Sequence, residues 1–244
     1  MTESYKNDLA YIHDVGFGGF VKSASGFVLE LLQHQGFDSG LVVDLGCGSG
    51  ILAEELENAG YDVIGIDVSM ALLAIARKRV KKAQFRACSL FKADIPNCIA
   101  VTAIGECFNY LFDSSNTSQE LYNLFVRIYN SLTSEGILVF DVALKGRVPG
   151  SGLYRTYTES QDWAVLMTAE EDLHLGLLTR HITTFRKVGE LYRRDGEIHQ
   201  LRLLMQEELV EQLENIGFKV STFSSYKELQ LAPGHIGLLA HKQG

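Results

Sequence analysis

Apolar and polar positions along this chain change period several times, and each change marks an element. Val21, Val28, Leu29, Leu31 and Leu32 fall on one helical face, so residues 21–35 predict an amphipathic helix that Gly36 ends. Ahead of it, Gly16-Phe17-Gly18-Gly19-Phe20 reads as a flexible glycine-rich hinge, and His13 and Asp14 as part of a lid. From Leu41 a strand–helix alternation begins. Strands are predicted at Leu41–Leu45, Asp62–Asp67, Gln84–Cys88, Ile99–Ile104 and Ile137–Val142. Helices are predicted between them at Ile51–Ala59, at Ser69–Val80 with Ser69 as N-cap, and at Ser118–Leu132. Continuous apolar strands separated by helices indicate a parallel sheet covered on both faces.

After Asp141 the pattern becomes mixed. The runs 162–168, 175–186 and 190–203 interleave polar and apolar residues, as antiparallel strands with one wet face do. Turn signals separate them at Glu170-Glu171-Asp172 and Lys187-Val188-Gly189. Gln206–Ile216 predicts a helix with Gly217 at its C′ position, and 218–224 and 236–241 a last strand pair. The expected fold is α/β: a Rossmann-like, seven-stranded, mostly parallel sheet with helices on both faces and an antiparallel meander inserted after strand five. Residues 1–36 are expected to form an N-terminal helical segment or lid. Residues 37–150 and 205–244 are expected to form the α/β domain, and 151–204 the inserted meander on the substrate side.

Composition narrows the class. Hydrophobic residues make up 46% and charged residues 21%, as in soluble globular proteins. The polar N-terminus lacks the basic and apolar regions of a secretory signal, and no apolar run approaches the roughly 20 residues that span a bilayer. The four cysteines, Cys47, Cys88, Cys98 and Cys107, show no metal-ligand or C-x-x-C spacing, which favours a reduced, cytoplasmic protein without a metal site. A net charge of −8 weighs against nucleic-acid binding. The expected partner is a small molecule, with neither membrane nor nucleic acid involved and with a homodimer possible in principle.

The chemistry concentrates in Asp44-Leu45-Gly46-Cys47-Gly48-Ser49-Gly50, a glycine loop that follows a strand and opens a helix. Glycines there permit a tight turn and close approach of backbone N–H groups to a ligand. The spacing is G-x-G-x-G rather than the G-x-G-x-x-G that suits a pyrophosphate, and Asp44 before it favours a ligand carrying positive charge. Asp67 ends the next strand, where a carboxylate accepts hydrogen bonds from both ribose hydroxyls.

Val42–Gly50 resembles the first motif of the class I S-adenosylmethionine-dependent methyltransferases, and Val63–Ser69 is similar to their second. Leu132–Asp141 resembles their approach to the fifth strand. Glu106-Cys107-Phe108-Asn109-Tyr110 resembles a bacterial small-molecule subgroup. The resemblance implies S-adenosylmethionine as cofactor. Gly46, Cys47, Gly48 and Gly50 would contact it through the loop, Asp44 at its methionine portion, Asp67 at the ribose and Val68 against adenine. Ser89 stands where the family usually has an acid near the adenine amino group. Glu106 is expected near the transferable methyl, as a cofactor contact or as a base.

Methyl transfer from a sulfonium is an in-line displacement in which the protein chiefly orients the reactants and keeps the site dry. A base is needed only where the nucleophile loses a proton. Glu106 and His199 are the candidates for that task; Asn109, Tyr110 and Arg180 are the candidates for the acceptor pocket. The reading is therefore methyl transfer to an O or N atom of a small molecule. The alternatives are an RNA or protein methyltransferase, or a non-catalytic cofactor-binding sensor.

Overall fold

The computed structural model describes residues 5–148, 150 and 152–244. The first four residues of the polar N-terminus and residue 151, the expected start of the insertion, lie outside them. The described chain runs α1 (Asn7–His34), β1 (Leu41–Leu45), α2 (Ile51–Asn58), β2 (Asp62–Asp67), α3 (Met70–Arg79), β3 (Gln84–Ala87), β4 (Cys98–Ala103), α4 (Ser118–Ser131) and β5 (Leu132–Ala143). It continues with β6 (Leu153–Glu159), β7 (Trp163–Asp172), β8 (Leu177–Val188), β9 (Leu191–Arg202), α5 (Gln206–Ile216), β10 (Phe218–Phe223), a short hairpin β11 (Ser225–Tyr226) and β12 (Leu229–Gln230), and β13 (His235–Lys242).

Seven strands form the main sheet in the order β10-β13-β5-β4-β1-β2-β3. β1 pairs in parallel with β2 and β4, and β4 with β5; β13 is antiparallel to both of its neighbours. One apolar layer, containing Leu121, Leu124, Phe125 and Ile128 of α4 and Leu209 and Leu213 of α5, covers one face. Val28 and Leu32 of α1 with Leu52 and Leu56 of α2 cover the other. This is the expected Rossmann-like α/β fold. The caps also form as read: Ser69 Oγ accepts from Leu72 N at 3.2 Å, and Gly217 closes α5 in the left-handed conformation.

Two expectations need correction. Residues 16–20 are not a hinge, because α1 runs unbroken for 28 residues through them. Its glycines serve close packing instead. A Cβ on Gly16 would strike the Trp163 ring, and one on Gly18 would strike Ile51. Taken as one helix, α1 is also long and apolar enough by length and composition to cross a membrane, which the glycine-interrupted pattern had concealed. Here it lies along α2, α3 and β8.

Among the described residues the insertion contains four strands, not three, in the order β6-β7-β8-β9. The additional strand, β6, has the sequence Leu-Tyr-Arg-Thr-Tyr-Thr-Glu. Its tyrosines and threonines favour β structure, but on this mostly exposed edge strand they carry no apolar alternation to reveal it. Glu170–Asp172 extend β7, and the turn falls at 173–176.

Candidate active site

The carboxyl ends of the parallel strands open onto one continuous cavity of about 580 Å³. Gly46 and Gly48 form part of its floor, Asp67 and Val68 one flank, and Gly105 and Glu106 another. α1 roofs it with Leu9, His13, Phe17 and Phe20, and the inserted sheet closes the far side with Val165, Met167, Arg180 and Ile182.

The glycine loop has the backbone its sequence requires. Gly46, Gly48 and Gly50 all have positive φ, at 75°, 53° and 78°. Their surroundings differ. A Cβ on Gly46 would collide with Cys107 and one on Gly50 would press on Ala76, whereas one on Gly48 would enter open space on the cavity side. Cys47 is buried with its thiol toward Gly65.

Asp67 Oδ2 accepts from Gly48 N at 2.9 Å and Oδ1 from Ser69 N at 2.8 Å, which ties the glycine loop to the end of β2. Burial raises the Asp67 pKa, and these amides oppose the rise. A carboxylate has about four acceptor positions, so capacity remains for ribose hydroxyls. Asp44 lies beneath the cavity floor, where Thr102 Oγ1 donates to it at 2.8 Å. Burial, with a contribution from Asp67, pushes its pKa up to about 7 against the Thr102 bond. A cation above the loop would restore its ionised form.

Glu106 has φ of 60°, a strained value for a residue with a Cβ. The buried Asp141 carboxylate holds this turn, accepting from Gly105 N at 2.9 Å and from Glu106 N at 2.7 Å. It also accepts from Tyr226 Oη and His235 Nε2, each at 2.7 Å. The Glu106 side chain receives Arg147 Nε at 2.8 Å and Arg180 Nη2 at 2.6 Å. Burial pushes its pKa up, but Arg180 and then Arg147 outweigh burial and bring it down to about 2. Such a carboxylate is a weak base, so its geometry fits charge compensation better than proton abstraction.

The remaining sequence candidates divide. Tyr110 lines the cavity beside Tyr5, their hydroxyls 3.1 Å apart, with Arg180 Nη1 donating to Tyr110 at 3.2 Å. Asn109 is fully buried and absent from the cavity wall. Its amide bonds Ala143 O, Arg202 O and Ala143 N at 2.8, 2.8 and 3.0 Å, clamping the loop after β4 between β5 and β9. His199 is buried behind Tyr5, Tyr110 and Phe112 and is hydrogen-bonded to Glu197 at 2.8 Å, outside the wall. Ser89 also faces away, accepting from Phe91 N at 3.1 Å.

Sequence reasoning passed over Tyr5, Arg147 and His235 in the wall and Asp141 beneath it. Tyr5, Arg147 and His235 are single polar residues outside any motif, and Asp141 and His235 are brought together only by the pairing of β5 with β13. The N-terminal strap, too, is held by distant partners. Tyr5 N and Lys6 N donate to Glu197 at 2.7 and 2.9 Å, Ser69 Oγ donates to Tyr5 O at 3.0 Å, and Asp8 pairs with Arg186 and Arg193.

Residues 42–136, which span β1 to the start of β5, match a family described as a methyltransferase domain. YqeM of Bacillus subtilis, a provisionally assigned methyltransferase, is 26% identical over 216 residues, covering 78% of this chain and 83% of YqeM. The fold is shared with a crystal structure of an S-adenosylmethionine-dependent methyltransferase from Clostridium acetobutylicum (TM-score 0.81, 22% identity, 98% and 99% coverage). It is shared as well with CalS10, an amino pentose methyltransferase of Micromonospora echinaspora (0.76, 15%, 95% and 97%), and KedS8, a sugar N-methyltransferase of a Streptoalloteichus species (0.73, 17%, 100% and 98%).

Proposed function

We propose that the chain is a class I S-adenosylmethionine-dependent methyltransferase that methylates an O or N atom of a small molecule bound under α1. The observation that carries this is the shape of the cavity. Its volume of about 580 Å³ lies within the range of small-molecule sites, and it must hold the cofactor as well. The acceptor end lies between the roof helix and the inserted sheet, which leaves space for a compact molecule rather than a macromolecular chain. CalS10 and KedS8, which share the fold, act on sugars according to their names, and this supports a small acceptor.

Residue roles follow from position. Gly46 and Gly48 would carry the cofactor's methionine portion over the loop, Asp67 its ribose and Val68 its adenine, with Asp44 supplying negative charge below. When bound, the cofactor supplies an electrophilic methyl on a sulfonium. At the acceptor end Tyr5, Tyr110, Arg147 and Arg180 offer donors, while Phe17, Met167 and Ile182 offer apolar contact. Glu106 offsets one of the two guanidinium charges.

For an acceptor that must lose a proton, His235 is the wall residue best arranged to receive it. Asp141 takes the Nε2–H, which leaves the lone pair on Nδ1, a base oriented by a third group. His13, the other histidine of the wall, has a buried Nδ1 without a partner, and burial lowers its pKa to about 4.

Incubation with S-adenosylmethionine and a metabolite extract, followed by mass spectrometry, tests the reading. A small product heavier by one CH₂ is expected, together with S-adenosylhomocysteine. If label from the methyl group appears only in protein or RNA of the extract, the acceptor class is wrong. With an acceptor in hand, His235→Gln is expected to lower kcat while leaving cofactor affinity unchanged.

A further inference from the structure

Two guanidiniums and a single carboxylate meet at the acceptor end of the cavity. Arg147 Nε and Arg180 Nη2 each donate to Glu106, at 2.8 and 2.6 Å, and both arginines line the cavity, their side chains 22% and 16% exposed. Two further acids close by are already engaged. Glu171 accepts from Gly146 N and Val148 N, on either side of Arg147 in the chain, and Asp141 accepts from its four donors beneath the wall. One positive charge of the arginine pair is therefore left over. The donors are also unevenly used. Arg180 spends Nη1 on Tyr110 and Nη2 on Glu106. Arg147 donates to the described residues through Nε alone, which leaves both of its Nη groups without an acceptor among them.

A charge in a largely buried site is costly when left unpaired, so the missing anion belongs to a ligand. The cofactor does not supply it. Its amino and carboxylate groups cancel each other, and its sulfonium adds a positive charge that Asp44 lies below to balance. The anion therefore comes with the acceptor. A phosphate monoester carries roughly two negative charges at neutral pH and would overcompensate. A carboxylate carries one, and its two oxygens match the paired Nη donors of a guanidinium. Phe17, Met167 and Ile182 line the same end, so the rest of the molecule presents apolar surface.

We propose that the methyl acceptor is a small carboxylic acid whose carboxylate pairs with the Nη groups of Arg147. This rests on the small-molecule reading above and gives it a substrate class. Glu106 fixes the Arg147 fork by holding Nε, and Arg180 holds Glu106 from the other side.

Methyl transfer from labelled S-adenosylmethionine into a metabolite extract tests it in three arms. The extract is left untreated, amidated at its carboxylates with carbodiimide and excess ammonia and then freed of reagent, or treated with phosphatase. Label in the small product is expected to vanish on amidation and to survive phosphatase. Survival after amidation overturns the proposal, and so does loss after phosphatase, which would make the anion a phosphate. An untreated extract that yields no labelled small product overturns the small-molecule reading instead, so the two failures are distinct. With the acceptor isolated from that extract, Arg147→Gln is expected to raise its KM roughly 10- to 100-fold, the range for a bond to a charged group, with kcat nearly unchanged. Arg147→Lys keeps the charge without the fork and is expected to lie between. Thermal melts establish that each variant is folded, and calorimetry with S-adenosylhomocysteine is expected to show unchanged affinity. A comparable loss of that affinity in folded Arg147→Gln would place the arginine on the cofactor's own carboxylate and overturn the assignment.

Discussion

Asp141 and His235 stand 94 residues apart in sequence and 2.7 Å apart in the fold, with His235 Nε2 against Asp141 Oδ1. The same carboxylate, fully buried, fixes the turn at Gly105 and Glu106. One group therefore couples a wall histidine, the strained turn at Glu106 and Tyr226 of the small hairpin.

Asp141→Ala is expected to destabilise the protein by about 3–5 kcal/mol, since it strips four donors, two of them fully buried, of their acceptor. Tyr226→Phe removes a single donor and is expected to cost about 1 kcal/mol. Denaturant unfolding of both variants checks the ranking. Equal midpoints for the two would mean that the carboxylate does not organise the cluster.

At Glu106 the backbone and the side chain make separate contributions. With φ at 60°, Glu106→Gly relieves the conformational cost that Glu106→Ala retains, although both lose the arginine contacts. The glycine variant is expected to be the more stable by about 1 kcal/mol. An alanine variant of equal or greater stability would show that the turn is not strained.

Two buried acids have opposite pH signatures. Glu106 has its folded pKa lowered to about 2 from 4.5, so its stabilisation is present above pH 4.5 and is lost as pH falls toward 2. Glu106→Gln is expected to be less stable than wild type at pH 7, by on the order of 3 kcal/mol, with the deficit shrinking over that window. Asp44 has its folded pKa raised to about 7 from 3.8, so stability is lost as pH rises from about 4 to 7. Asp44→Asn is expected to raise the Tm of the cofactor-free protein at pH 8 more than at pH 4. Parallel stability–pH curves for wild type and variant would contradict either assignment.

In the glycine loop, Gly46→Ala and Gly48→Ala both place alanine at positive φ, a cost of roughly 1–2 kcal/mol. Only the Gly46 variant adds a collision with Cys107, so it is expected to be the less stable of the two. Gly48→Ala is expected to stay folded and to lose cofactor affinity, because its methyl enters the space above the loop. Calorimetry beside a melting curve separates the two effects, and full affinity in Gly48→Ala would remove that residue from the binding surface.

The strap over the cavity is held by Asp8, whose pairing with Arg186 and Arg193 bridges α1 to β8 and β9. Arg193 is more than half exposed, so solvent screens its share of the pairing. Asp8→Ala is expected to speed amide exchange in the first turns of α1 while leaving α4 unchanged. Uniform acceleration across the molecule would point to global destabilisation rather than a loosened lid.

The sheet, the glycine loop and the cofactor were legible in the chain before folding. These rest on local signals: unbroken apolar strands, glycines where positive φ is obligatory, and Asp44 and Asp67 at strand ends. The chain also contained Arg180 and Tyr110, because strand alternation and the run after β4 place them near the crevice. The arrangement of charge inside the cavity, by contrast, arises on folding. Glu106 in isolation reads as a cofactor contact or as a base. Arg147 and Arg180, 41 and 74 residues away, turn it into a counter-ion. Asn109 and Tyr110 are neighbours with opposite fates, because the docking of β9 closes over the amide and leaves the phenol in the wall. Gly16–Phe20 reads as a hinge until Trp163 and Ile51 are seen to require small residues against them. Backbone conformation is encoded residue by residue, whereas protonation state and exposure depend on partners that the chain brings together only on folding.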